Sequence, residues 1–149
     1  MDRKLSYAGI AGAVAGIVGL FGIFGTWWES DMATYHGTAD KSGSLALAMA
    51  IGLFVFGGAY ILMSDAGIRR AMSALMTLCA VLLTLSCIWG LTRADTVAAG
   101  AKVGTGMWVS LLGGLLGIAG GLMAMRDNAA ADAAGSKGTS APSGSADES

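Results

Sequence analysis

Four long stretches without a charged side chain dominate this sequence, at residues 5–28, 44–64, 71–92 and 103–125. Each is at least as long as the roughly 20 residues that an α-helix needs to cross about 30 Å of hydrocarbon. Apolar residues make up 54% of the chain and charged residues 13%, a balance typical of membrane proteins. The sequence therefore predicts four membrane-spanning segments.

The spans are predicted to be helices because a bilayer core offers no water to the backbone, which leaves only helices and closed barrels. Barrel strands alternate apolar and polar residues, whereas these segments are apolar throughout. The connections at 29–43, 65–70 and 93–102 are short, so consecutive helices should be antiparallel neighbours. We expect an all-α, left-handed, integral membrane four-helix bundle over residues 1–126, whose first span is retained rather than cleaved as a signal peptide.

The positive side chains near the span ends are unevenly distributed, and loops rich in Lys and Arg tend to stay in the cytoplasm. The larger group lies on the side of the two termini: Arg3, Lys4, Arg69, Arg70 and Arg126. The smaller group lies on the opposite side: Lys41, Arg93 and Lys102. This distribution predicts a multi-pass protein of the plasma membrane with both termini in the cytoplasm.

The tryptophans support the same arrangement, because an indole ring prefers the membrane interface, where its N–H meets water and its ring stays in an apolar layer. Four spans place every tryptophan at the outer end of a helix: Trp27, Trp28, Trp89 and Trp108. We expect these four rings to form an interface belt.

Small residues recur at helical spacing along three of the spans. Lipid does not drive helices together hydrophobically, so close backbone approach at small residues must do so. The predicted packing seams are Gly9, Gly12, Gly16 and Gly19 in the first span, Ser73, Thr77 and Thr84 in the third, and Gly106, Ser110, Gly113, Gly117 and Gly120 in the fourth. The second span is less regular, and its predicted small face is Ser44, Ala48, Gly52 and Ala59. Since the first and fourth spans are richest in glycine, we expect them to be the closest pair.

The hydroxyls of the third span allow two interpretations. Ser73, Thr77 and Thr84 could line a polar path, since a pore can be built from hydroxyls without any charge in the membrane. Alternatively, they donate to carbonyls of their own helix or cross a helix interface, which is the more common use of such residues.

Few other residues are candidates for chemistry. The first outer loop contains Glu29, Asp31, His36 and Asp40, but their spacing matches no known metal site, so we expect a solvated loop. Cys79 and Cys87 lie in apolar surroundings and are interpreted as packing residues. We expect no enzyme activity, no metal and no cofactor.

The C-terminal segment and the net charge complete the sequence-based predictions. Residues 127–149 are rich in Ala, Gly, Ser and Asp, which predicts a disordered cytoplasmic tail. A net charge of −1 without a basic cluster predicts no binding of nucleic acid. The expected partners are the lipid bilayer and other membrane proteins or further copies of this chain.

The fourth span carries a glycine-rich pattern with one tryptophan and a terminal arginine: Gly104, Gly106, Trp108, Leu112, Gly113, Gly114, Gly120, Gly121 and Arg126. The pattern resembles that of small uncharacterised four-span membrane proteins of bacteria, of the alanine- and glycine-rich kind found in actinobacteria. The resemblance implies a fold but supplies no active residues.

Two functional hypotheses follow from the sequence. The first is a non-enzymatic accessory or scaffold subunit of a membrane complex, because the spans form a compact bundle without interior charge. The alternative is a small pore or permease, including a holin-like protein that permeabilises membranes, which would use the hydroxyl face of the third span.

Overall fold

The computed structural model describes residues 7–31, 33–39, 41–93 and 100–138. Four long helices account for most of these residues: α1 Tyr7–Phe24, α2 Lys41–Leu62, α3 Ala66–Thr92 and α4 Thr105–Gly138. All four are long and apolar enough to cross a membrane. The prediction of a helical bundle with four apolar helices is therefore confirmed.

The helices form a ring in chain order, in which each helix packs against its two neighbours and α1 closes the ring against α4. Gly9 at the start of α1 lies beside Ile61 at the end of α2, so this pair is antiparallel. The contact between α1 and α4 is the most extensive in the molecule, as expected from the glycine content of these two helices.

Small residues line the interior of the bundle, and large apolar residues cover its outside. The predicted seam glycines of α1 and α4 are all buried, as are Ser73, Thr84 and Ser110, whereas Thr77 is half-buried. Exposed large side chains occur on every helix, including Phe21, Phe54, Leu85 and Leu115. Such an exterior is unusual for a soluble monomer, which rarely exposes contiguous apolar surface on this scale.

The small face predicted for α2 is wrong. Ser44 and Ala48 are exposed, while Gly52 and Ala59 are half-buried. The buried face of α2 is instead mixed in size: Gly43, Ala46, Ala50, Leu53, Gly57 and Tyr60. The pattern of small residues did not indicate this face because two of its members, Leu53 and Tyr60, are large.

The start of α3 differs from the prediction, which began this span at residue 71. The carboxylate of Asp65 accepts a hydrogen bond from the Ile68 amide at 2.9 Å, which caps α3 and starts this helix at Ala66. Arg69 and Arg70 therefore lie in the first turns of α3 rather than in a loop.

The predicted disordered tail is also corrected in part. Helix α4 continues past Arg126 to Gly138, so residues 127–138 are helical. The alanines of this segment favour the helical state intrinsically, which explains the continuation. Residues 139–149 of the predicted tail lie outside the described residues.

A small antiparallel sheet covers one end of the bundle, opposite to the start of α1 and the end of α4. It comprises β1 Thr26–Ser30, β2 Ala33–His36 and β3 Lys102–Val103, in the order β2-β1-β3. The strands were not predicted, because the short strand β1 directly follows α1 and its tryptophans resemble the end of an apolar span. Helix α1 ends at Phe24 in the structure, not at residue 28.

Candidate functional site

The hydroxyls of α3 donate to carbonyls of their own helix. Ser73 Oγ lies 2.8 Å from Arg70 O, Thr77 Oγ1 lies 2.8 Å from Ser73 O, and Thr84 Oγ1 lies 2.9 Å from Ala80 O. Each hydroxyl thus donates its proton within its own helix, as in the structural interpretation of these residues. We call these three side chains the hydroxyl stripe.

Helix α4 covers this hydroxyl stripe. Gly114 and Gly121 of α4 lie so close to Thr84 and Thr77 that a Cβ added to either glycine would collide with the facing threonine Oγ1. The stripe is therefore part of the α3–α4 interface and does not line an open path in a single copy of the chain.

The interface between α1 and α4 is equally close. A Cβ added at Gly113 would lie 2.7 Å from the backbone nitrogen of Gly19, and one added at Gly120 would lie 3.1 Å from that of Gly12. Ser110 Oγ also donates a long hydrogen bond, of 3.4 Å, to Gly19 O. Gly12 and Gly19 of the first predicted seam therefore face the fourth, whereas Gly9 and Gly16 face α2.

Among the described residues, the buried polar side chains are Ser73, Thr84, Ser86 and Ser110. All four hydroxyls donate to a backbone carbonyl. The four buried hydroxyls thus all have hydrogen-bond partners, which offsets the cost of removing them from water.

A pair of tryptophans closes the end of the bundle beneath the sheet. Trp27 and Trp28 lie in β1 and are buried, with ring centroids 5.7 Å apart in an edge-to-face arrangement. Trp27 Nε1 donates to Gly22 O at 3.1 Å, and Trp28 Nε1 donates to Gly90 O at 3.4 Å. These contacts join β1 to α1 and α3, so we call the pair the tryptophan cap.

The tryptophan cap corrects the predicted interface belt. Trp27 and Trp28 are core residues of a strand, because the chain turns back at Gly25 and carries both rings over the bundle. Trp89 and Trp108 lie near the ends of α3 and α4, and their rings are more than half exposed, at 59% and 53%. The belt remains a prediction for these two residues only.

Polar contacts join three helices at the opposite end of the bundle. Tyr60 Oη lies 3.3 Å from Ala124 O and 3.4 Å from Asn128 Oδ1, and Asn128 Nδ2 donates to Ser73 Oγ at 3.2 Å. Arg70 of α3 forms an ion pair with Asp132 of α4. Asn128 and Asp132 lie where α4 extends beyond the predicted span, and the sequence signalled their contacts only by a single asparagine among alanines.

The ionisable residues between the first two helices do not converge. Glu29 lies on β1 opposite Thr34, whereas His36 lies at the other end of the hairpin opposite Thr26, and both are exposed. Asp31 is exposed in the turn, and Asp40 lies outside the described residues. The described part of the chain contains no group of three or more His, Cys, Asp or Glu side chains that could hold a metal.

The two cysteines are buried and are not joined by a disulfide. A Cβ added at Gly52 of α2 would lie 2.9 Å from the Sγ atom of Cys79. Cys79 and Cys87 thus occupy the interior face of α3, where they fill space as small apolar residues.

Comparison with known proteins finds no family model, no curated protein and no solved structure that matches this chain. The resemblance of the fourth span to small bacterial four-span proteins therefore stays a prediction.

Proposed function

We propose that the chain is an integral protein of the plasma membrane that crosses the bilayer four times. Support comes from the four apolar helices and from the large apolar side chains on their outer faces. Water would disfavour such an exterior, whereas hydrocarbon would solvate it. The excess of Lys and Arg on the side of the two ends favours a cytoplasmic location for both, with the tryptophan cap on the outer face of the membrane.

We further propose that the protein is a non-enzymatic accessory or scaffold subunit of a membrane complex, acting by contact. The observation that carries this proposal is the filled interior, in which glycine backbones and bonded hydroxyls occupy the helix interfaces. The surfaces available for recognition are then the apolar exterior and the two ends of the bundle. A pore along the α3 hydroxyls would require α3 and α4 to separate, so we do not propose it for a single copy.

The topology can be tested by thiol labelling in intact cells. In a Cys79→Ala, Cys87→Ala background, Lys102→Cys places a thiol at the exposed sheet end, and Ala130→Cys places one on the exposed extension of α4. A membrane-impermeant maleimide should label the first variant in intact cells and the second only after the cells are permeabilised. Labelling of both thiols in intact cells, or the reverse pattern, would contradict the proposed orientation.

The accessory role can be tested by purification at native abundance. A tag on the C-terminal tail, mild detergent and mass spectrometry should recover a membrane partner in a fixed ratio to this chain. Recovery of the chain alone would contradict the proposal. Rapid solute flux through vesicles containing only this protein would instead support the pore hypothesis.

A further inference from the structure

A groove of about 400 Å³ runs along the surface between the beginning of α2 and the end of α3, at the end of the bundle that carries the sheet. Its apolar wall includes Leu45 of α2 and Leu82 and Leu85 of α3. Leu45 and Leu85 are each about half exposed, so the groove is open along its side. This volume lies in the lower part of the range for sites that hold small molecules.

Two cations lie at the polar end of this groove. Lys41 is the first residue of α2, and Arg93 directly follows the last residue of α3. The Arg93 guanidinium carbon lies 5.6 Å from the centre of the Trp89 ring, which also lines the groove.

The order of chemical groups along the groove matches that of an amphiphile. Leucine side chains form one part, and a half-exposed tryptophan with two positive charges forms the other. In a membrane, tryptophan prefers the depth of the lipid headgroups, and basic residues at that depth attract anionic lipids. An acyl chain would lie against the leucines with its phosphate beside the cations.

We propose that this groove is a binding site for an anionic phospholipid of the leaflet at the sheet end, with one acyl chain along Leu82 and Leu85 and the phosphate between Lys41 and Arg93. The proposal rests on the membrane embedding proposed above. It adds a lipid of defined charge to the partners of the protein.

The test uses fluorescence quenching by brominated lipids in vesicles. The full-length chain with Trp108→Phe is reconstituted in phosphatidylcholine, which leaves Trp89 as the exposed tryptophan beside the buried cap. Brominated phosphatidylglycerol should quench its fluorescence at a lower mole fraction than brominated phosphatidylcholine. We expect roughly a five-fold loss of this preference for each of Lys41→Gln and Arg93→Gln, the factor equivalent to about 1 kcal/mol per basic residue.

Two matched controls separate the groove from general surface charge. Lys102→Gln removes an exposed cation at the same end of the bundle but outside the groove, so the lipid preference should be unchanged. Leu85→Ser removes an apolar part of the groove wall and should reduce quenching by both lipids, whereas Leu78→Ser, at an equally exposed leucine of α3 outside the groove, should not.

The outcomes distinguish the two proposals. The lipid site would be overturned if the chain with Trp108→Phe alone showed no preference for phosphatidylglycerol over phosphatidylcholine. It would also be overturned if Lys102→Gln reduced this preference as much as Lys41→Gln or Arg93→Gln. Quenching that falls as the protein-to-lipid ratio rises would also overturn it, because a second copy of the chain would then occupy the groove. Protein that fails to float with vesicles would instead refute the membrane embedding itself.

Discussion

Two adjacent glycines of α2 offer a sharp test of how closely the helices pack. A Cβ added at Gly57 would lie 2.5 Å from the backbone nitrogen of Ala13, whereas a Cβ added at Gly58 would meet nothing within 4 Å. Ordinary contact begins near 3.4 Å, so Gly57→Ala requires α1 and α2 to separate locally by about 0.9 Å. The neighbouring atoms belong to the backbone of α1 and cannot be relieved by a rotamer change.

The expected difference in stability follows from this geometry. Overpacking of a tight interface costs about 1–3 kcal/mol, while replacing glycine by alanine in a helix favours the folded state by up to about 1 kcal/mol. The propensity gain is common to both variants. Gly57→Ala should therefore be less stable than Gly58→Ala by about 1–3 kcal/mol, and Gly58→Ala should be as stable as the unsubstituted chain or slightly more stable.

The buried cysteines supply the assay. Cys79 and Cys87 should react with a thiol-reactive dye only when the bundle opens, so their labelling reports unfolding as sodium dodecyl sulfate is added to mild detergent. Gly57→Ala should shift the midpoint to a lower fraction of the denaturing detergent. Coincident midpoints for the two variants would refute the close approach of α1 and α2 at Gly57.

Three further predictions use the same titration. Trp27→Ala should lower the unfolding free energy by about 3–5 kcal/mol, because it removes a buried ring. Trp108 is exposed, so Trp108→Ala should change this free energy by about 0.5 kcal/mol or less, and equal effects would argue against the tryptophan cap. Gly114→Ala should destabilise the otherwise unsubstituted chain, and it should cost less stability when Thr84→Ala is also present. The double-mutant cycle should give a coupling of about 0.5–3 kcal/mol, and strictly additive effects would exclude the contact between Gly114 and Thr84. Asp132→Asn removes an exposed ion pair and should cost no more than about 1 kcal/mol, so a larger loss would show that the α4 extension contributes more than this structure implies.

The small-residue pattern predicted the interfaces of some helices better than others. In α1 and α4 the glycines recur regularly, and the structure places them in the interior. In α2 the interior face includes Leu53 and Tyr60, so residue size alone could not identify it. The α3 hydroxyls left two interpretations open, and only their distances to carbonyls and to α4 separated them.

The tryptophan cap and the proposed lipid groove are features that the sequence could not predict. Trp27 and Trp28 continue an apolar run in the sequence, yet the chain reverses after Phe24 and buries them in a sheet. Lys41 and Arg93 are far apart in sequence and become the two cations of one groove because α2 and α3 are antiparallel neighbours. Neither arrangement has a local signal, since each depends on pairing between distant segments.

The sequence by itself determined the number of long apolar helices, the short connections between them and the close pairing of α1 with α4. Hydropathy and glycine content are properties of a single segment, so they can be evaluated without knowing its neighbours. Only the tertiary structure decided which face of α2 points inward and where Trp27 and Trp28 lie. Those features depend on the mutual rotation of helices and on contacts between residues distant in sequence, which no single segment encodes.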